Sequence, residues 1–397
     1  MQEVPKQKRF PSFFAIYLFF WMAENLLAPY LGLYYEQRGL SAMQVGHINS
    51  WFSMAVIASS LTVGALGDKL GRPRRILLAL LCGMIAGTFF LSRANAYAAI
   101  VMAALVYGAS YAPVNGIADK LLMDKLRSRP ESFGKYRMGG TIGAGIGVIL
   151  SGVLLPMLGF PSLFAGYWAA AFFCIAFILS LPAATDAVHL DKARWQDYLL
   201  VIRHRRFFPI YLTMTIWGFT EVGAAQFLAM HVTRAGMESS YTSLFVGMAM
   251  LGECIGFLLV PWLIRRLKPH QMIAFSFVLQ LFRMGSLALL GKIPFGAVCF
   301  SQFIGGGAFA QIYALLTQMI SATFPEKVSC SAHTLKLVVN RGIGITCGSL
   351  LLGYLFDLSA CRHAYGILAV CSACMALLSF LVGNQVFSYG YDFDRPS

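Results

Sequence analysis

Residues 11–35 read PSFFAIYLFFWMAENLLAPYLGLYY, a run with one acid and no base. A helix needs roughly 20 apolar residues to cross a bilayer, and this run exceeds that. It also exceeds the apolar core of about 7–15 residues of a secretory signal, so it reads as a retained first span. Lys6, Lys8 and Arg9 before it form a basic flank expected in the cytoplasm. Glu24 falls near the middle of the run. A charge at that depth costs at least ~2.5 kcal/mol unless it is neutral, partnered or in water. The acid therefore predicts a polar partner or a water-filled cavity beside the first span.

The rest of the 397 residues follows the same pattern: 58% are hydrophobic and 12% charged, against about half and a quarter in soluble domains. Apolar runs lie near 11–35, 42–66, 75–92, 97–119, 137–158, 161–182, 207–231, 241–264, 271–290, 294–321, 330–356 and 361–386. These predict twelve transmembrane helices in an all-α integral membrane protein. Every second loop is basic, as at Lys69, Arg72, Arg74 and Arg75, while the alternate loops hold only Arg38, Arg93, Arg234, Lys292 and Arg362. The asymmetry predicts cytoplasmic N- and C-termini and accounts for the formal charge of +14 without nucleic acid. The nine cysteines are scattered through the apolar runs and read as small packing residues; the only CxxC, Cys371 to Cys374, falls in the last run with no second pair or histidine cluster.

The chain repeats itself. FFAIYL at Phe13 returns as FFPIYL at Phe207, and Arg38-Gly39 has a counterpart in Arg234-Ala235-Gly236. Gly143, Gly147 and Gly152 recur with the same spacing as Gly344, Gly348 and Gly353. Two six-helix halves are expected, residues 1–182 and 207–397, joined by a basic cytoplasmic linker over 183–206.

The loop GALGDKLGRPRR, Gly64 to Arg75, closely resembles the cytoplasmic signature of the major facilitator superfamily. That resemblance implies a cytoplasmic gate built on Gly64, Asp68, Gly71 and Arg72. A narrower resemblance, to the branch of lactose permease and the nucleoside and phenylpropionate proton symporters, rests on Asp119 and the Phe133-Gly134-Lys135-Tyr136-Arg137 element after it. It implies that Asp119 and Arg137 belong to the solute site. Glu253 and Arg283 resemble the acid of span eight and the arginine of span nine in lactose permease, and are expected to stabilise one another. The chain departs from lactose permease in span ten, which offers only Gln302, Gln311 and Gln318 as large polar groups. Lys336, Asn340 and Arg341 instead lie in span eleven.

Glu221 sits in span seven at a depth like that of Glu24 in span one. In transporters built from parallel repeats the solute site lies between the halves near the bilayer midplane. Glu24, Glu221 and Glu253 are therefore the expected proton-coupling acids. Asp119, Arg137, Arg283, Lys336, Asn340 and Arg341 are the expected solute contacts, and their excess of cations suggests an anionic solute. Hydrolase, phosphate-loop and metalloprotease signatures are absent, so no enzyme, cofactor or metal is expected. The expected partners are a small-molecule substrate, protons and the lipid bilayer, for a monomer in the cytoplasmic (inner) membrane. The expected activity is proton-coupled uptake of a small organic acid, such as a phenylpropionate-like aromatic carboxylate, or of a sugar or nucleoside. The rival readings are an efflux antiporter and, from another class, a non-transporting receptor or scaffold.

Overall fold

The computed structural model describes residues 11–70, 73–125, 133–181, 195–204, 207–324, 326–381 and 383, and these contain helices and no strands. The first run is α1 (Pro11–Leu27), a 3-10 turn over Ala28–Tyr30 and α2 (Leu31–Gln37). Pro29 lacks an amide hydrogen and breaks the α-helical ladder there. Next come α3 (Ala42–Leu70), α4 (Pro73–Arg93), α5 (Tyr97–Lys125), α6 (Phe133–Leu158) and α7 (Phe160–Leu179). A short α8 (Trp195–Arg203) precedes α9 (Phe207–Ala225), α10 (Leu228–Arg234), α11 (Ser240–Arg266), α12 (Pro269–Ala288) and α13 (Phe295–Thr323). The expected span eleven is α14 (Glu326–Leu337), a π-helical stretch over Val338–Ile345 and α15 (Thr346–Asp357), and α16 (Cys361–Leu381) closes the order.

Ten helices among the described residues are long and apolar enough to cross a membrane. The expected second and seventh spans are helical but are not among the ten. The first is α3, with Gln44, His47 and Asn49 near its start, and the second is the α9 and α10 pair, which carries Glu221.

Repeated sequence gives repeated geometry. Gly39 and Gly236 both take positive φ, 81° and 80°. The amide of Leu40 donates to the Tyr35 carbonyl just as that of Met237 donates to Val232. This closure needs a left-handed residue, which glycine adopts without strain. The glycine triplets also take matching places. Gly143 and Gly147 lie against the α1 backbone, and Gly344 and Gly348 against that of α9. The third glycine of each triplet faces a helix of the other set: Gly152 meets Ser243 of α11, and Gly353 meets Ala42 and Met43 of α3.

Helices α1 to α7 pack mainly among themselves, α1 on α6 and α7, and α5 on α3 and α4. Helices α9 to α16 do likewise, with α13 on α11 and α12, and α16 on α12 and α9. The two sets join along a seam of α15 on α3 and α11 on α6. The seam's polar contacts sit at the end bearing the few-base loops. Glu36 accepts from Arg234 Nε at 2.7 Å, and the Tyr30 hydroxyl reaches Ser243 Oγ at 2.6 Å. Asp357, at the end of α15, accepts from the amides of Ala42 (2.6 Å) and Met43 (3.0 Å) and so caps α3.

The expected gate, Gly64, Asp68, Gly71 and Arg72, lies outside the described residues in its side chains; only the helical backbone at Gly64 and Asp68 is described. The cysteines are not uniformly buried: Cys174 is, but Cys82, Cys254, Cys347 and Cys374 are exposed. In a membrane helix an exposed face can meet lipid, so an apolar thiol there incurs no burial requirement.

Candidate functional site

The expected residues fall into three charged groups and one cation standing alone. The first surrounds Glu24, which is 5% exposed. Its carboxylate accepts from the Tyr107 hydroxyl of α5 at 2.8 Å and from the Tyr167 hydroxyl of α7 at 3.2 Å. Two phenols on neighbouring helices thus satisfy the acid, as its position in an apolar run required. Beside it lies a cavity of about 170 Å³, walled by Glu24, Asn49, Phe52, Tyr107 and Tyr111 from one set of helices and by Gln226 and Arg341 from the other. The Arg341 guanidinium stands 5.9 Å from the centre of the Tyr111 ring and acts electrostatically on Glu24. The buried amide nitrogen of Asn49 has no hydrogen-bond partner among the described residues. Gln226, in the same wall, accepts at Oε1 from Ser349 Oγ at 2.6 Å.

The second group joins α9, α12 and α13. Arg283, 5% exposed, donates from Nη1 to both Glu221 oxygens, at 3.0 and 3.1 Å, and from Nε to Gln302 Oε1 at 2.9 Å. Gln280 adds a bond to Glu221 at 3.2 Å. Glu253 feels the charges of both Glu221 and Arg283 but makes no ion pair or hydrogen bond among the described residues. The expected pairing of Glu253 with Arg283 is thus replaced by pairing with Glu221. Glu221 offers Arg283 both carboxylate oxygens, and Gln280 and Gln302 complete the bonding of the pair.

The third group lies on α1, α5 and α6. Arg137 Nε is 3.8 Å from Asp119 Oδ1, and Tyr17 donates to the same oxygen at 2.5 Å. The guanidinium lies 5.0 Å from the Tyr17 ring centre and 5.4 Å from that of Trp21. Facing this group from α13, Tyr313 is within electrostatic reach of Arg137, Asp119 and Glu253. Lys336, buried, stands 4.0 Å over the Tyr313 ring and donates to Thr317 Oγ1 at 2.8 Å. Asn340 turns its amide to the Met214 carbonyl of α9 at 3.1 Å, a bond between helices.

Adjacent residues on a helix point about 100° apart, so Asn340 reaches α9 while Arg341 lines the cavity between the sets, both within the π-helical stretch over Val338–Ile345. Sequence reading missed Tyr107, Tyr111 and Tyr167 as the shell of Glu24, and Gln280 and Gln302 as that of Glu221 and Arg283. Tyrosines and glutamines placed inside otherwise apolar spans were the available signal.

Comparison with known proteins agrees with this architecture. The sequence model of the MFS_1 like family matches residues 12–367. The uncharacterized transporter YwbF of Bacillus subtilis is 21% identical over 93% of both chains. The maltose permease of Geobacillus stearothermophilus is 22% identical over 95% of this chain and 94% of its own. Two solved structures of the nucleoside transporter NupG, one of them a point variant, superpose with TM-scores of 0.81 and 0.85 at 16% identity. They cover 96% and 94% of this chain and 100% and 98% of theirs, and at this identity the likeness speaks for the fold.

Proposed function

The chain belongs to the MFS_1 like family, and we infer that this multi-pass membrane transporter moves a small organic acid with an aromatic group, driven by protons. The two helix sets, residues 1–182 and 207–397, rock about the central cavity, with 183–206 as the cytoplasmic linker. Both termini lie in the cytoplasm and the membrane is the bacterial inner membrane. On that topology the seam closes the outer side, so this conformation faces inward.

One observation carries the reading: the central cavity brings Glu24 of one set and Arg341 of the other to a space also walled by Phe52 and Tyr111. Arg341 offers a planar fork for a carboxylate, and the rings offer faces for an aromatic body. Glu24 is the first-choice proton carrier, because its phenol partners can hold it in either protonation state. Glu221 and Glu253 form a second acidic site beside Arg283. One proton supplies ~2.3 kcal/mol per 100 mV, enough to drive accumulation.

A nucleoside or sugar is the second reading, favoured by the amides of Asn49 and Gln226 in the same wall. Uptake by the purified protein in liposomes, with and without an imposed proton gradient, separates the readings. Concentrative uptake of an aromatic carboxylate is expected. Gradient-driven uptake of neutral sugars or nucleosides alone would remove the carboxylate assignment, and no movement of any tested solute would remove the transport reading of this cavity.

A further inference from the structure

The short helix between the two sets carries an apolar face that the fold leaves open. α8 has nine residues, about 14 Å of helix against a hydrocarbon core of about 30 Å, so it cannot cross the bilayer. It nevertheless exposes three large aliphatic side chains: Leu199, Leu200 and Ile202 are 51%, 60% and 46% exposed. At about 100° per residue these three share an arc of about 160°, and Val201, fully buried, lies opposite its middle. Val201 belongs to the apolar core that also holds Ile210 and Tyr211 of α9 and Phe324. α8 packs on α14 and α9, and α9 begins at Phe207, directly after His204, Arg205 and Arg206. One face of α8 is thus fixed to the ends of the spans, while the opposite face is left uncovered by the described residues.

Two features say what covers that face. The first is charge: residues 191–206 hold Lys192, Arg194, Arg203, Arg205 and Arg206 against Asp191 and Asp197. α14 contributes Glu326 and Lys327 at its start, which leaves that excess of bases unchanged. Arg203 is exposed within the same arc as the aliphatic residues, and a long arginine stem can lie along apolar surface while its guanidinium reaches headgroups. The second is position. The helix sits at the end of α9, and a short amphipathic helix at the end of a span can lie in the plane of the interface. Trp195 and Tyr198, residue types of that interface, belong to the same nine residues.

We propose that α8 is an interfacial helix that seats Leu199, Leu200 and Ile202 in the adjoining leaflet, with the bases around it holding anionic lipid headgroups. Because Val201 ties α8 to the C-terminal set, the leaflet then grips that set directly through the linker. On the topology proposed above this is the cytoplasmic leaflet. The assignment needs only a membrane-embedded chain and stands whichever solute the central cavity carries.

The full chain is placed in discs of neutral phosphatidylcholine and in discs that also contain phosphatidylglycerol. Hydrogen exchange of the peptide covering residues 195–203, followed by mass spectrometry, should slow about threefold or more in the anionic discs. The slowing should disappear in salt of about 1 M, where the Debye length is roughly 3 Å, and should be smaller in Arg203→Gln. Leu199→Trp adds a fluorophore on the open face; lipids brominated on their acyl chains should quench the added emission, and aqueous iodide should not. Equal exchange in the two kinds of disc would overturn the proposal. So would added emission quenched by iodide and not by brominated lipid, a result that would leave the face to a soluble protein partner.

Discussion

Arg283 gives its guanidinium to Glu221 on α9, with both oxygens within 3.1 Å, while Glu253 stays outside the pair. The two acids near one arginine are therefore not equivalent. Removing one partner of a buried ion pair strands the other and destabilises by about 3 kcal/mol or more, although the partial exposure of Glu221 reduces that figure. Glu221→Gln should lower the melting temperature in detergent measurably, and Glu253→Gln should leave it nearly unchanged. Equal melting temperatures would mean that Arg283 relies on Gln302 alone.

Glu24 sits between two phenols, so Glu24→Gln keeps the size and part of the hydrogen bonding but loses the charge change. Accumulation against a gradient should vanish while solute exchange down its own gradient survives. Solute-driven proton uptake in liposomes checks this. Normal coupling with lowered expression would assign Glu24 a structural role.

Tyr107→Phe deletes one donor to Glu24 and leaves the ring in place. The expected loss is about 1 kcal/mol of stability, with a shift in the pH dependence of transport. Thermal unfolding and uptake measured across a pH series report the two effects separately.

Arg341→Lys preserves a positive charge but not a planar fork. The affinity for an aromatic carboxylate should fall about tenfold or more, and that for any neutral solute should barely move. Competition binding with matched acid and amide compounds makes the comparison directly.

At the seam, Glu36 and Arg234 are each about a quarter exposed in their side chains, 25% and 29%. Such pairs contribute about 0.2–1 kcal/mol. Glu36→Gln should therefore move the balance between conformations towards seam-open by up to about fivefold. Spin-label distances across the seam give the populations.

How far the sequence could be read depended on whether the controlling feature was local. Ten of the twelve expected membrane spans followed from run length, and the matching turns at Gly39 and Gly236 from a repeated Arg and Gly. Glu24 announced itself because a carboxylate in an apolar run demands an explanation. Its partners did not, since Tyr107 and Tyr167 look like ordinary span aromatics until packing brings them to one point. The partner of Arg283 was misread for a related reason: spacing along the chain does not say which of two acids a neighbouring helix presents. Nothing local marked the π-helical stretch over Val338–Ile345 in which Asn340 and Arg341 lie. The side chains of the loop signature itself, around Asp68, lie outside the described residues.

The cap that Asp357 places on α3 has a consequence for energetics. When the two helix sets part, the amides of Ala42 and Met43 and the carboxylate they leave behind all become free to bond to water. Each bond lost within the protein is exchanged for solvation of comparable strength, so the net cost of separation is small. A closure fastened by a deep apolar plug would have to expose that plug on every cycle. Fastening with groups that water can solvate keeps the two states close in free energy, and that near-degeneracy lets a modest bias from a bound solute or a proton decide which side is open.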